Sequence, residues 1–111
     1  MVLIAAVTIS DRANAGVYED KSGPAIAAWL EEAISSDYQF VSRVVPDGID
    51  SVVRTLENWC DFEGADLILT TGGTGPSPRD LTPEALGHVI DKELPGFGEL
   101  MRAVSLREVP T

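Results

Sequence analysis

Hydrophobic and polar positions alternate in blocks along this chain, and the blocks change period. Val2–Ile9 is a continuous run rich in apolar residues, as in a strand buried on both faces of a parallel sheet. Ser10–Lys21 is polar, contains Gly16 and reads as a long loop. Ser22 then caps a helix with Pro24 in its first turn, where no N–H is needed. Ala25, Ile26, Trp29, Leu30, Ala33 and Ile34 form its apolar stripe. Tyr38–Val45 is a second strand, rich in β-branched and aromatic residues. Pro46-Asp47-Gly48 is a turn, and a second helix follows with Ile49, Val52, Val53, Leu56, Trp59 and Cys60 on one face. Gly64 ends that region.

Ala65–Thr70 is a third strand and Thr71–Leu81 a loop. Thr82-Pro83-Glu84 opens a third helix, with Thr82 as cap and Ala85, Leu86, Val89 and Ile90 as its stripe. Pro95-Gly96 breaks the chain, and Phe97, Leu100, Met101 and Val104 have the spacing of further helical turns. The order β-α-β-α-β-α predicts an α/β fold with a parallel sheet and helices on its faces. Three strands are few for a sheet, and a bare apolar edge invites association.

Composition narrows the partners. Eight Lys+Arg against eighteen Asp+Glu give a net charge of −10, which disfavours nucleic acid and anionic membranes. A nucleotide is not disfavoured, because backbone N–H groups and a divalent cation hold phosphates without a basic patch. A single cysteine, Cys60, excludes an intramolecular disulfide and fits a reducing compartment. The apolar start is short and lacks a positive leader region, so it reads as a core strand, and a cytoplasmic location is expected. His88 is expected at the surface, Cys60 and both tryptophans in the core, and Glu31-Glu32 on a solvated face.

Ligands of open parallel sheets bind beyond the carboxyl ends of the strands. Those ends carry Ser10 and Asp11, then Asp47, then Thr71, Gly72, Gly73, Thr74 and Gly75 followed by Arg79 and Asp80. The glycines permit close approach, and successive N–H groups form a nest for an anion. The same loop is also a plausible tight strand-to-helix turn, and it matches neither standard nucleotide-loop pattern. Asp47 and Asp80 have the chemistry to hold Mg²⁺, which takes few protein carboxylates. Each has a structural alternative: Asp47 as turn former or helix cap, Asp80 as partner of Arg79 or cap of the third helix. Asp11 has Arg12 and Lys21 as near partners, and Thr8 and Ser10 can close the loop by hydrogen bonds.

Thr70-Thr71-Gly72-Gly73-Thr74-Gly75 with Arg79-Asp80-Leu81-Thr82-Pro83-Glu84 resembles the signature of the molybdenum-cofactor biosynthesis domain. Pro95-Gly96-Phe97-Gly98-Glu99-Leu100-Met101-Arg102 and Ser10-Asp11-Arg12 with Gly16-Val17-Tyr18-Glu19-Asp20 resemble its bacterial stand-alone adenylyltransferase branch. The resemblance runs from Ile4 to Thr111. It implies a three-layer α/β/α fold with a mostly parallel sheet, typically assembled as a homotrimer. It implies Mg²⁺-dependent transfer of AMP from ATP to molybdopterin, with Asp47 and Asp80 as the catalytic pair and Asp47 as metal ligand. The glycine loop matches its substrate-binding loop, and Thr8, Ser10, Asp11 and Arg79 are expected to bind substrate beside it. A molybdate-insertion enzyme is the implied partner. Two alternatives share the fold: a non-catalytic molybdopterin-binding module and the molybdate-insertion enzyme itself. The family continues with a further strand, a Pro-Gly loop and more helix. Residues 1–111 are therefore expected to be a single molybdopterin-binding domain truncated at its C-terminus, roughly two-thirds of ~150–200 residues.

Overall fold

A computed structural model describes residues 1–109. Its sheet has three strands: β1 (Val2–Ile9), β2 (Tyr38–Val45) and β3 (Leu67–Thr71). The spatial order is β2-β1-β3, and both pairs are parallel. β1 is therefore the central strand, which is why its apolar run is unbroken: Ile4 through Ile9 are all buried. The register aligns Ile9 with Val45 and Thr8 with Thr71, so the three strands end at the same level. β3 begins at Leu67 rather than Ala65, because Ala65 N–H instead closes the preceding helix on Trp59 O at 2.8 Å.

The helices are α1 (Asp11–Asn14), α2 (Ser22–Ala33), α3 (Ile49–Glu57), α4 (Thr82–Gly87) and α5 (Pro95–Glu108). The chain leaves β1 toward one side, forms β2, then crosses back over β1 to form β3. With right-handed crossovers, reversing direction puts successive connections on opposite faces of the sheet. The packing follows that rule. Ala5, Val7 and Ile9 of β1 join Val45, Val52, Leu56, Trp59 and Ala85 in one core beneath α3 and α4. The other face of β1 meets α2, whose Gly23 comes against Thr8 and whose Leu30 is buried. This is the expected three-layer α/β/α arrangement.

Several local expectations are corrected. The Ser10–Lys21 loop contains the short helix α1, capped by Ser10 Oγ, which accepts from Ala13 N–H at 3.2 Å. Ser22 does not cap α2. Lys21 occupies the cap position, and Asp20 Oδ1 accepts from the N–H groups of Ser22 and Gly23. Trp29 borders a groove with Ala25, Ile26 and, from β3, Leu69 and Thr70, and is 61% exposed. Cys60 is exposed although Trp59 beside it is 1% exposed. The cause is a π-helical turn, Asn58–Phe62, that continues α3. Its wider i→i+5 spacing rotates Cys60 off the stripe that an α-helix would continue. Gly64, at φ +67°, ends the segment as expected. The third predicted helix stops at Gly87, leaving Ile90 exposed, and its cap position is Leu81, not Thr82. His88 and Glu31-Glu32 are exposed, as expected. α5 is helical but buries none of its residues.

Candidate functional site

The reversal of chain direction at β1 opens a crevice between the carboxyl ends of β1 and β3, the place where open α/β sheets take ligands. A cleft of ≈590 Å³ lies there. It is lined from β1 by Ser10 and Asp11, from β2 by Asp47, and from the β3 loop by Gly72, Gly73, Arg79 and Asp80. Residues from all three strand ends thus meet, although Asp11 and Arg79 are far apart in the chain.

The glycine loop makes that meeting possible. Gly72 sits at φ +94°, and a Cβ there would collide with the carbonyl oxygen of Ile9. Only glycine lets the end of β3 pass so close to the end of β1. Gly73, at φ +67°, faces Thr82 Oγ1 and Asp47 Oδ1 across the space a Cβ would fill. Its carbonyl accepts from Thr82 N–H at 3.1 Å, which ties the loop to the start of α4.

Asp11 and Asp47 brace each other. Asp11 N–H donates to Asp47 Oδ2 at 2.9 Å, and Asp47 N–H donates to Asp11 Oδ1 at 3.0 Å. Arg79 closes the unit with a bidentate grip on Asp11, Nε to Oδ2 and Nη2 to Oδ1, both 2.9 Å. Arg79 Nη2 also donates to the carbonyl of Asp47 at 2.8 Å. The Arg79 hydrogen bonds hold the Asp11 carboxyl below its usual range against desolvation, with a lesser contribution from the Asp47 N–H. The same pairing raises Arg79.

These bonds decide between the alternatives that the sequence leaves open. Arg79 pairs with Asp11, so neither Arg12 nor Lys21 is the partner of Asp11, and Asp80 is not the partner of Arg79. Asp47 does not cap α3; Gly48 is the cap residue there, with no side-chain bond. Asp80 closes its own turn: Ser77 N–H donates to its Oδ2 at 3.0 Å, and Asp80 N–H donates to Ser77 O at 2.9 Å. It does not cap α4.

Other candidates lie further off. Thr8 lines a neighbouring cleft with Tyr18, Asp20 and Lys21. Thr71 ends β3, and Thr71, Thr74 and Gly75 are not among the lining residues; Gly75 packs against the Asp80 carboxylate. Arg12, Tyr18 and Ser77 also line the main cleft; Arg12 and Tyr18 stand in the motifs that carry the family resemblance without being singled out there as site residues, and Ser77 escaped sequence reasoning. Tyr18 is fixed there by a 2.8 Å bond between its hydroxyl and Ser10 Oγ. Its signals in the sequence are its place in the Gly16-Val17-Tyr18-Glu19-Asp20 motif and its being an aromatic residue inside a polar loop.

Charge balance shows what the cleft favours. Three carboxylates line it, and only Asp11 has a cationic partner among the described residues. Asp47 and Asp80 form no ion pair among the described residues, and Arg12 and Arg79 are the cations that line the cleft with them. No cluster of three or more His, Cys, Asp or Glu able to hold a metal occurs among the described residues. An all-protein cage is thus absent, but Mg²⁺ is held through one or two carboxylates plus substrate phosphates, and the residues present fit it. No helix of the described residues is long and apolar enough to cross a membrane.

Comparisons with known proteins place the chain in a family. Residues 5–111 match the family described as a probable molybdopterin binding domain. The molybdopterin adenylyltransferase of Haemophilus influenzae is 49% identical over 111 residues, covering 100% of this chain and 56% of that protein. The enzyme of the same name from Escherichia coli K12 is 48% identical over 97% of this chain and 55% of its own length. This chain therefore spans about half the length of the curated relatives it matches. The solved structure of the molybdopterin biosynthesis Mog protein from Mycobacterium ulcerans superposes with a TM-score of 0.83 at 40% identity, over 100% of this chain and 70% of that one.

Proposed function

Because this chain belongs to the probable molybdopterin binding domain family, we propose that it serves molybdenum cofactor biosynthesis by transferring AMP from ATP to molybdopterin. The terminal phosphate oxygen of molybdopterin attacks the α-phosphorus of ATP in line. A new P–O bond forms, the bond to the β-phosphate oxygen breaks, and pyrophosphate leaves with the electron pair. The nucleophile is already ionised, so no strong general base is required. This agrees with a cleft that has no His or Lys among its lining residues. Catalysis then rests on positioning and charge stabilisation.

The observation that carries this reading is the convergence of Asp11, Asp47 and Asp80 on one cleft, with only Asp11 in an ion pair among the described residues. Asp47 and Asp80 would hold Mg²⁺, whose chemistry is to neutralise the triphosphate as charge builds on the leaving group. Asp11 and Arg79 are the frame that fixes Asp47, and Arg79 keeps guanidinium donors in excess of its bonds to Asp11 and Asp47 for a phosphate. Gly72 and Gly73 let a phosphate approach the backbone closely. ATP and molybdopterin are the proposed substrates, with Thr8, Ser10, Thr71, Thr74 and Gly75 as further candidate contacts. A cytoplasmic homotrimer working beside a molybdate-insertion enzyme completes the proposal.

The test is pyrophosphate release from ATP and molybdopterin by Asp47→Asn across a Mg²⁺ titration. Activity is expected to fall sharply and the Mg²⁺ requirement to rise, with molybdopterin affinity falling less than turnover. Unaltered activity at low Mg²⁺ would remove Asp47 from the metal site. Molybdopterin binding without any ATP-dependent pyrophosphate release by the native chain would make it a binding module.

A further inference from the structure

Two arginines line the main cleft, and they are held differently. Arg79 is committed: its Nε and Nη2 grip Asp11, and Nη2 also reaches the carbonyl of Asp47. Arg12 makes no ion pair among the described residues. Asp11, its neighbour in sequence, is its nearest candidate partner along the chain, but that carboxylate is already taken. Oδ1 accepts from Arg79 Nη2 and from Asp47 N–H, and Oδ2 accepts from Arg79 Nε. The grip of Arg79 on Asp11 thus leaves Arg12 exposed at the cleft without an acidic partner.

The base of that side chain is fixed. Arg12 lies in α1, where Ser10 Oγ accepts from Ala13 N–H at 3.2 Å and Ser10 O accepts from Asn14 N–H at 3.0 Å. The carbonyl of Arg12 itself accepts from Val17 N–H at 2.9 Å. A ligand therefore has only the side chain of Arg12 to order, not its backbone. The charges of the lining set the ligand class. Besides Arg12, the charged lining groups without an ion pair are the carboxylates of Asp47 and Asp80. A divalent cation held by those two balances them, and Arg12 is then the surplus positive charge of the cleft. Its planar fork of five N–H donors matches phosphate oxygens two at a time. We infer that Arg12 is a phosphate-binding residue of the cleft, its guanidinium donating to the phosphate oxygens of a bound substrate. Two sources carry that chemistry, the triphosphate of ATP and the terminal phosphate of molybdopterin. The inference deepens the function proposed above and rests on it for the identity of these substrates. It divides the work of the two arginines: Arg79 braces the carboxylates, and Arg12 brings its whole set of donors to the ligand.

Equilibrium binding by the full chain tests this without any turnover. Calorimetric titration with ATP plus Mg²⁺, and separately with molybdopterin, gives a Kd for each. Arg12→Gln keeps most of the reach of the side chain and removes its charge. It is expected to weaken at least one of the two about 10–100-fold. A loss confined to ATP assigns Arg12 to the triphosphate, and a loss confined to molybdopterin assigns it to the terminal phosphate. Arg12→Lys, a point charge without the fork, should recover only part of the affinity. Because the contact is ionic, the native Kd should rise more steeply with salt than that of Arg12→Gln. The urea midpoint of Arg12→Gln should match the native one, since no ion pair among the described residues is lost. Arg107→Gln, at an exposed arginine of α5, is the control for long-range charge and should leave both Kd values unchanged. Native Kd values for both ligands in Arg12→Gln, or an equal loss in Arg107→Gln, would overturn the inference. Binding of both ligands without pyrophosphate release would refute the proposed activity alone, and the Kd values would still decide the role of Arg12. A native chain that binds neither ligand would refute both.

Discussion

Replacing Gly72 by alanine separates two costs that glycine substitutions usually mix. Gly72 and Gly64 both have positive φ, +94° and +67°. An alanine at Gly64 meets nothing within 4 Å, so it carries only the left-handed backbone penalty of about 1–2 kcal/mol. Part of that is offset, because alanine also lowers the entropy of the unfolded chain by about 0.4–1 kcal/mol. The net loss for Gly64→Ala is therefore about 1 kcal/mol. Gly72→Ala carries the same penalty and adds a collision with the backbone oxygen of Ile9, which no rotamer change can relieve. Forcing atoms into a packed site costs about 1–3 kcal/mol more, so Gly72→Ala should lose about 2–4 kcal/mol. Against the ~5–15 kcal/mol typical of a domain, that is a large fraction. Urea unfolding of the two variants is the assay; with a slope of about 1–3 kcal/mol/M the difference is well resolved. Equal midpoints would refute the claim that the glycine loop exists to let β3 pass close to the end of β1.

Further outcomes are expected. Trp59→Ala should cost about 3–5 kcal/mol in the same assay, because Trp59 fills the core under α3; Trp29→Gln should stay within about 0.5 kcal/mol, because its site is exposed. Asp80→Asn should abolish adenylyl transfer and keep the native circular dichroism spectrum, since an amide oxygen still accepts from Ser77 N–H; near-native turnover would end its catalytic assignment. Asp11 has a folded pKa below its ordinary value near 3.8, so its contribution is present above that value and is lost as pH falls through the lower folded value. Arg79→Leu should therefore flatten the acid limb of a stability–pH profile below about pH 4, and because the pair is exposed, salt should weaken the native dependence; an unchanged profile would mean that the Arg79–Asp11 bonds do not persist in solution.

The periodicity of the chain was enough to place β1 and β2 at their observed bounds, to find α2, α3 and the start of α4, and to make the sheet parallel. Those features follow from side-chain spacing within a few residues, which a linear sequence displays directly. The gathering of Asp11, Asp47, Asp80 and the glycine loop on one edge was legible for the same reason, because every strand of a parallel sheet points its carboxyl end the same way. The exposure of Cys60 was not, because a π-helical turn changes the spacing on which the inference rests. Nor was the exposure of Trp29, which depends on how much of α2 the three strands cover. Above all, the pairing of Arg79 with Asp11 and the mutual brace of Asp11 and Asp47 are products of strand order. Placing β1 between β2 and β3 brings the three loops within hydrogen-bonding reach, and each hydrogen bond forms between atoms that nothing in their local sequence holds together. Local spacing chose the elements and the edge; the crossing of the chain over β1 chose the partners.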